Sequence, residues 1–433
     1  MSNPIVEITA LSHEGRGIAH LDNKTVFIEG ALPNEKVEFI YTKKHRHFDE
    51  GRVEKILEAS SERVQPRCPH YGVCGGCSQQ HFSHALQIQN KQKVLLDSLN
   101  HIGKVNPQYV LPPLLGPEWG YRHKARLGVK YVEKKQKLLI GFREKQGRYL
   151  ADLNSCDVLH PAIGKEIESL RSLLWGLKKY RAIPQLEVAI GDEMIALVVR
   201  HLEPLPEEDI QKLLIFSKEK NIKIYLQSAG TESVFLLKNE ASDEEDYLFY
   251  RLPEFDLTLF FHPMDFTQVN PAINRQLVAL AVHLLELKSS DRVIDFFCGL
   301  GNFTLPIART ASQVVGVEGA KVMVERACMN AERNAIHHAS FYTANLMGAL
   351  SHEPWFGHYD KVLLDPPRTG AIELIQQISF TAERIVYVSC NPATLARDAA
   401  HLVQHQGYQL THAGVMDMFP HTSHVESIAV FQK

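Results

Sequence analysis

Hydrophobic and polar positions alternate in short runs over the first sixty residues. Residues 5–11, 24–30, 36–41 and 51–57 are rich in Val, Ile and Phe and are separated by turn signals such as HLDNK and ALPNEK. That pattern predicts short strands forming a small β-barrel of the OB type, a fold that often binds oligonucleotides. The period then changes. HALQIQNKQKVLLDSLNHI, beginning at His84, predicts a helix, and residues 120–150 alternate as strands do. Mixed α and β patterning continues to residue 250 or so, with the acidic run EASDEEDY predicting a loop near residue 240.

From residue 292 the chain reads as an open α/β sheet. Residues 292–296 form an apolar run followed by the glycine turn CGLGN and a helix start, and SQVVGVEGA supplies a second strand tipped by Glu318. This opening βαβ unit predicts a doubly wound sheet that binds an adenosine-bearing cofactor. Gly299 and Gly301 would let the backbone approach the ligand, and Glu318 would accept both ribose hydroxyls. A nicotinamide dinucleotide is the alternative, but Asp295 would then face pyrophosphate and the third glycine is missing. A carboxylate at that strand tip suits a cofactor with a cationic amino-acid end, which points to S-adenosylmethionine. Two more apolar runs end in reactive side chains, KVLL before Asp365 and RIVYVS before Cys390. Open α/β sheets hold ligands at the carboxyl ends of their strands, so Asp295, Glu318, Asp365 and Cys390 are expected to converge.

Cys390 precedes a predicted helix, ATLARDAAHLV, whose N-terminus is expected to lower the thiol pKa. Methyl transfer to nitrogen or oxygen needs no such nucleophile. Carbon 5 of a pyrimidine does, because a thiolate adding at carbon 6 turns the ring into an enolate that accepts the methyl group. The adduct must then lose its carbon-5 proton to a base. The final strand, HTSHVESIAVFQ, offers Glu426 for that role and His424 as a second candidate.

Composition adds the partner and a second site. The 433 residues suffice for two or three domains, and no apolar run is long enough to span a bilayer. The opening MSNPIVEITA lacks the pattern of an export signal, so a cytoplasmic protein is expected. The net charge of −3 conceals an asymmetry, since residues 1–150 carry 23 Lys+Arg against 15 Asp+Glu. A basic front half suggests a polyanion partner, with a merely solvated charged face as the alternative. Tyr121, Arg122, Lys124, Arg126 and Tyr131 interleave aromatics with cations, the mix that neutralises phosphates and stacks bases. Three of the seven cysteines crowd into CPHYGVCGGC, residues 68–77. In a chain this poor in cysteine, their spacing fits a zinc or iron–sulfur site better than a disulfide; His70 or His81 could complete a zinc site.

DFFCGLGNFTLP, LLDPPRTG, VSCNPATLARD and HVESIAV, in this order and spacing, resemble the RNA uracil-C5 methyltransferase family, and the resemblance covers essentially the whole chain. It implies three parts: a TRAM domain of OB type over residues 1–60, a central α+β iron–sulfur and RNA-binding domain over 61–255, and a class I, Rossmann-like methyltransferase domain over 256–433. It further implies a [4Fe–4S] cluster on Cys68, Cys74, Cys77 and Cys156, structural rather than redox in role. S-adenosylmethionine would be held by Gln268, Phe297, Asn302, Glu318, Asn345 and Asp365, with Cys390 as nucleophile and Glu426 as base. Cys298 and Cys328 match no family ligand and read as packing residues. Having both barrel and cysteine cluster, the chain resembles the branch that methylates 23S rRNA. A dual-site rRNA or tRNA enzyme and a cytosine-C5 enzyme are the alternatives. Arg122, Lys124 and Arg126 are expected to touch the RNA, and a monomer is expected.

Overall fold

The computed structural model describes residues 3–238, 246–378 and 380–433, so the expected acidic loop lies largely outside the described residues. Strands β1 (Ile5–Glu7), β2 (Ala10–Leu11), β3 (Gly17–Leu21), β4 (Lys24–Glu29), β5 (Lys36–Lys44) and β6 (Phe48–Glu58) form one sheet in the order β1-β5-β6-β4-β3-β2. β3 was not legible in the alternation. It forms a hairpin with β4 through Asp22 and Asn23, both in the left-handed region at φ 51° and 63°. Asp and Asn tolerate that conformation, and it matches the strand twist. The sheet buries Val6, Ile8, Ala19, Val26, Ile28 and Phe39.

Helix α1 (His84–Ser98) begins at Ser83, whose hydroxyl accepts from the Leu86 N–H. It packs on the C-terminal domain, and the short strand β7 (Tyr109–Val110) joins the edge of the C-terminal sheet. The expected central domain, residues 61–255, therefore gives up α1 and β7 to its neighbour. What remains is built on β8 (Lys124–Val132), β9 (Lys137–Gly141), α2 (Pro161–Gly164), α3 (Ile167–Trp175), β10 (Gln185–Ile190), β11 (Ile195–Arg200), α4 (Glu207–Lys220), β12 (Ile222–Gln227) and β13 (Phe235–Leu236). Its sheet runs β13-β12-β11-β10-β8-β9, with Leu170 and Leu174 of α3 and Leu213 and Phe216 of α4 in its core. The hairpin of β14 (Leu248–Leu252) and β15 (Leu257–Phe261) spans the expected boundary at 255/256. Its apolar residues share a core with Leu277 and Val278 on one side and with Ala196, Val198 and Tyr225 of the central sheet on the other, so it joins the two domains.

The C-terminal domain continues with α5 (Pro271–Leu285), β16 (Arg292–Phe296), α6 (Thr304–Ala308), β17 (Gln313–Glu318), α7 (Lys321–Arg333), β18 (Ala339–Thr343) and β19 (Lys361–Leu364). It ends with α8 (Ile372–Gln377), β20 (Arg384–Ser389), α9 (Pro392–Gln404), β21 (Gln409–Met416) and β22 (Glu426–Gln432). The strand order is β18-β17-β16-β19-β20-β22-β21-β7, parallel from β18 to β20, with β22 antiparallel between β20 and β21. Val293 and Ile294 enter the cores on opposite faces, as both-sided burial of a parallel sheet requires. Strand order reverses between β16 and β19, which opens a crevice at their carboxyl ends. Among the described residues no helix is long and apolar enough to cross a membrane.

Candidate active site

The crevice is floored by the turn after β16. Phe297 adopts φ 65° and Gly299 and Gly301 follow at 55° and 94°. A bulky residue in the left-handed region is strained, and such strain persists where the surroundings impose it. Here the Phe297 and Cys298 N–H groups both donate to the Val317 carbonyl, at 2.8 and 3.1 Å, and pin the turn to β17. Glu318 at the tip of β17 accepts from the Gly299 N–H at 3.2 Å and from the Ala320 N–H at 3.0 Å. The Asn302 side chain is committed inward, exchanging two 3.0 Å hydrogen bonds with Asn274 and accepting from the Tyr250 hydroxyl at 2.8 Å. What Asn302 can offer a cofactor is therefore its backbone. Asn345 is exposed beyond β18, its side-chain oxygen accepting from the Met347 N–H.

Gln268 lies between β15 and α5 in a loop braced from two sides. The His123 N–H donates to the Val269 carbonyl at 2.8 Å, Lys124 Nζ donates to the Asp265 carbonyl, and Arg326 Nε meets Asp265 Oδ2 at 2.8 Å. Beside Gln268 stands Phe266, 70% exposed, a feature the sequence did not single out.

At the far end of the crevice β20 and β22 bring two side chains together. Ser389 is registered on Ser427; Cys390 directly follows β20 and Glu426 is the first residue of β22, and the two are near enough for the Glu426 charge to act on the Cys390 thiol. Asp365 and Arg368, from the DPPR turn after β19, complete the group. Burial, then the nearby Glu426 and Asp365 carboxylates, push the Cys390 thiol up to about 11, while Arg368 works the other way. The expected lowering by the α9 N-terminus is thus overturned. A helix terminus contributes at most about 2 kcal/mol, whereas burial can move a pKa by about 3–5 units. Burial and Asp365 likewise lift Glu426 to about 8, against Arg368 and Lys91. His424 is exposed, its ring nitrogen 3.3 Å from Arg368.

Asp295 is fully buried, its Oδ2 accepting from the Thr304 hydroxyl at 2.5 Å and its Oδ1 without a partner. Burial, with Asp365 and Glu318 nearby, raises Asp295 to about 8, and burial with Glu318 raises Asp365 to about 7. The strand-tip acids do converge, and they crowd one another. A cation between them would let all of them ionise.

The remaining predicted residues sort themselves by position. Cys68, Cys74, Cys77 and Cys156 line one small pocket, with Phe142, Leu153 and Arg122. Burial raises all four thiols. His70 accepts from the Asn154 N–H and His81 pairs with the Tyr71 hydroxyl, and neither lines the cavity. Among the described residues no three His, Cys, Asp or Glu side chains are arranged to hold a metal ion. Arg122 faces that cavity, and Arg126 pairs with Glu187 at 2.9 Å. Lys124, half-buried on Asp265, braces the Gln268 loop and shares one face of β8 with the exposed Arg126. Tyr121 is buried, its hydroxyl donating to the Pro420 carbonyl. Cys298 is buried as expected, but Cys328 is exposed.

Known proteins agree with this architecture. Relatives from Hahella chejuensis and Legionella pneumophila (strain Paris), each named 23S rRNA (uracil(1939)-C(5))-methyltransferase RlmD, are 51% identical over 99% and 100% of this chain and 96% and 98% of their own. The solved structure of Pyrococcus abyssi tRNA (uracil-54, C5)-methyltransferase, in complex with S-adenosyl-L-homocysteine, shares the fold with a TM-score of 0.74 at 24% identity, covering 99% of this chain and all of that one. The TRAM domain matches residues 5–53. The family described as tRNA (Uracil-5-)-methyltransferase matches residues 120–433, and the chain belongs to it.

Proposed function

We propose that this chain transfers a methyl group from S-adenosylmethionine to carbon 5 of a uridine in 23S rRNA, at the site numbered 1939 in the names of its relatives. The observation that carries this reading is the proximity of Cys390, just after β20, and Glu426, at the start of β22, beside the acidic crevice. When bound, S-adenosylmethionine supplies an electrophilic methyl group. The residues present suit it: two glycines open the floor, Glu318 stands where ribose hydroxyls would lie, and the unpartnered Asp295 Oδ1 and the crowded carboxyls favour a cationic ligand. Gln268, Phe297, Asn302, Glu318, Asn345 and Asp365 would hold it.

The Cys390 sulfur, once deprotonated, adds to carbon 6 of the uracil and makes carbon 5 nucleophilic. After carbon 5 is methylated, Glu426 takes its proton. The released electron pair restores the double bond, and the carbon–sulfur bond breaks to return the thiolate. Arg368, the one cation at the turn after β19, supports the thiolate and the ionised base.

A [4Fe–4S] cluster on the four cysteines that line one pocket is part of this reading. The pocket gathers Cys156 with the trio, leaves both histidines outside, and places the Arg122 side chain where it would offset the charge of an anionic group. Such a cluster would staple residues 68–77 to 156. The N-terminal sheet, as an OB-type barrel, would grip the RNA from which the target uridine is flipped.

RNA substituted with 5-fluorouridine tests the reading, because fluorine cannot leave as a proton does. A denaturation-resistant adduct at Cys390 on a 23S rRNA fragment, and none on tRNA, is the expected result. An adduct on tRNA alone would move the substrate to the tRNA branch. No adduct on either would remove the carbon-5 uracil chemistry.

A further inference from the structure

We propose that Lys91 is a positioning residue for proton abstraction, acting from α1 on Glu426 through Asp417 and the loop that leads into β22. The inference rests on Glu426 being the base. Lys91 is 1% exposed, and its Nζ donates to Asp417 Oδ1 at 2.6 Å and to the Phe419 carbonyl at 2.9 Å. The other Asp417 oxygen is held by His84 Nε2 at 2.8 Å, and His84 Nδ1 stands 3.4 Å from Glu118. Asp417 directly follows Met416, which is registered opposite Glu426. The ammonium therefore grips the chain one residue from the cross-strand partner of the base.

The rest of this loop is held by neutral groups. Ser78 and Gln79 N–H groups donate to the His421 carbonyl at 2.9 and 3.0 Å, and the His421 N–H donates to Gln87 Oε1 at 2.8 Å. A chain that needed only to tie the loop down had such bonds available. Burying an ammonium is costly even when it is paired, so its charge requires a reason. The groups facing Glu426 are Asp365 and Cys390 from the tips of β19 and β20, Arg368 from the turn after β19, and Lys91 from α1. Arg368 is exposed and screened by water and salt; Lys91 is not. Lys91 is thus a second cation, after Arg368, that favours the Glu426 carboxylate, the form that takes the carbon-5 proton.

Single-turnover decay of the covalent RNA adduct, followed against pH in the full-length protein, tests this. Lys91→Met is expected to slow decay at neutral pH roughly tenfold and to move the acid limb to higher pH by about one unit, the equivalence of one pKa unit to a factor of ten. Lys91→Arg is expected to restore part of the rate. Because Lys91→Met alone leaves Asp417 buried and unpaired, Lys91→Met/Asp417→Asn, which removes both charges, is measured beside it. It is expected to show the same alkaline shift. A folded variant of either kind with wild-type decay and an unmoved acid limb would overturn the proposal. Glu426→Gln runs in parallel: if it fails to hold the adduct, the assignment of the base falls, independently of Lys91.

Discussion

Cys390 directly follows β20 and Glu426 opens β22, each one residue past the registered Ser389–Ser427 pair. The two lie close enough to feel each other's charge, which suits them to serve adjacent carbons of one pyrimidine ring. A one-residue slip would send Glu426 to the other face, so the six-residue register of this pair sets the geometry of the reaction.

The two residues should fail differently. Cys390→Ala should abolish turnover while S-adenosylmethionine still binds, measured by calorimetry. Glu426→Gln should instead accumulate a covalent protein–RNA band on denaturing gels. In the wild type, burial beside Asp365 lifts Glu426 to about 8, so adduct release should quicken between about pH 6 and 9 and then level off. A flat profile would count against Glu426.

The crowded carboxyls make cofactor binding pH-dependent. Asp295 and Asp365 are raised to about 8 and about 7, so the folded protein binds protons that the unfolded chain releases near 3.8. The stability this proton uptake contributes is present at low pH and is lost as pH rises toward 7 and 8. A cationic ligand offsets that loss by letting the acids ionise. The increase in melting temperature produced by S-adenosylmethionine should therefore be larger at about pH 8 than at about pH 6, as differential scanning fluorimetry would read. Asp295→Asn should flatten the difference.

Cys77→Ser should cost iron content and several kcal/mol of stability, because a metal site that closes a long loop contributes directly to folding. Cys328→Ser, at an exposed position, should change neither. Iron analysis of anaerobically purified protein alongside thermal unfolding separates the two. An iron-free, equally stable wild type would sink the cluster.

RNA affinity should fall steeply with salt as phosphate contacts release counterions. Lys124→Ala should leave the slope of that dependence unchanged and weaken cofactor binding, because its ammonium braces the Gln268 loop through Asp265. A slope reduced by about one would restore Lys124 to the RNA surface.

Contiguous residues carried most of what was legible. The apolar runs at 292–296, 361–364 and 384–389 each became a buried strand, and each strand tip became part of the crevice, since a strand and the residue that ends it are written side by side. The glycine turn, the helix after Cys390 and the final strand at Glu426 were readable for the same reason. The meeting of Cys156 with Cys74, the bracing of Gln268 by residues 123 and 124, and the reach of Lys91 to Asp417 join segments roughly eighty to over three hundred residues apart in sequence. No local pattern encodes such contacts. The thiol of Cys390 shows the limit most plainly. Its helix N-terminus is visible in the sequence and argues for a lowered pKa, but burial and the carboxylates that fold around it outweigh that local dipole. Contiguous residues write which groups stand at the strand tips; their protonation follows from the folded surroundings, because desolvation and Coulomb fields depend on everything packed nearby.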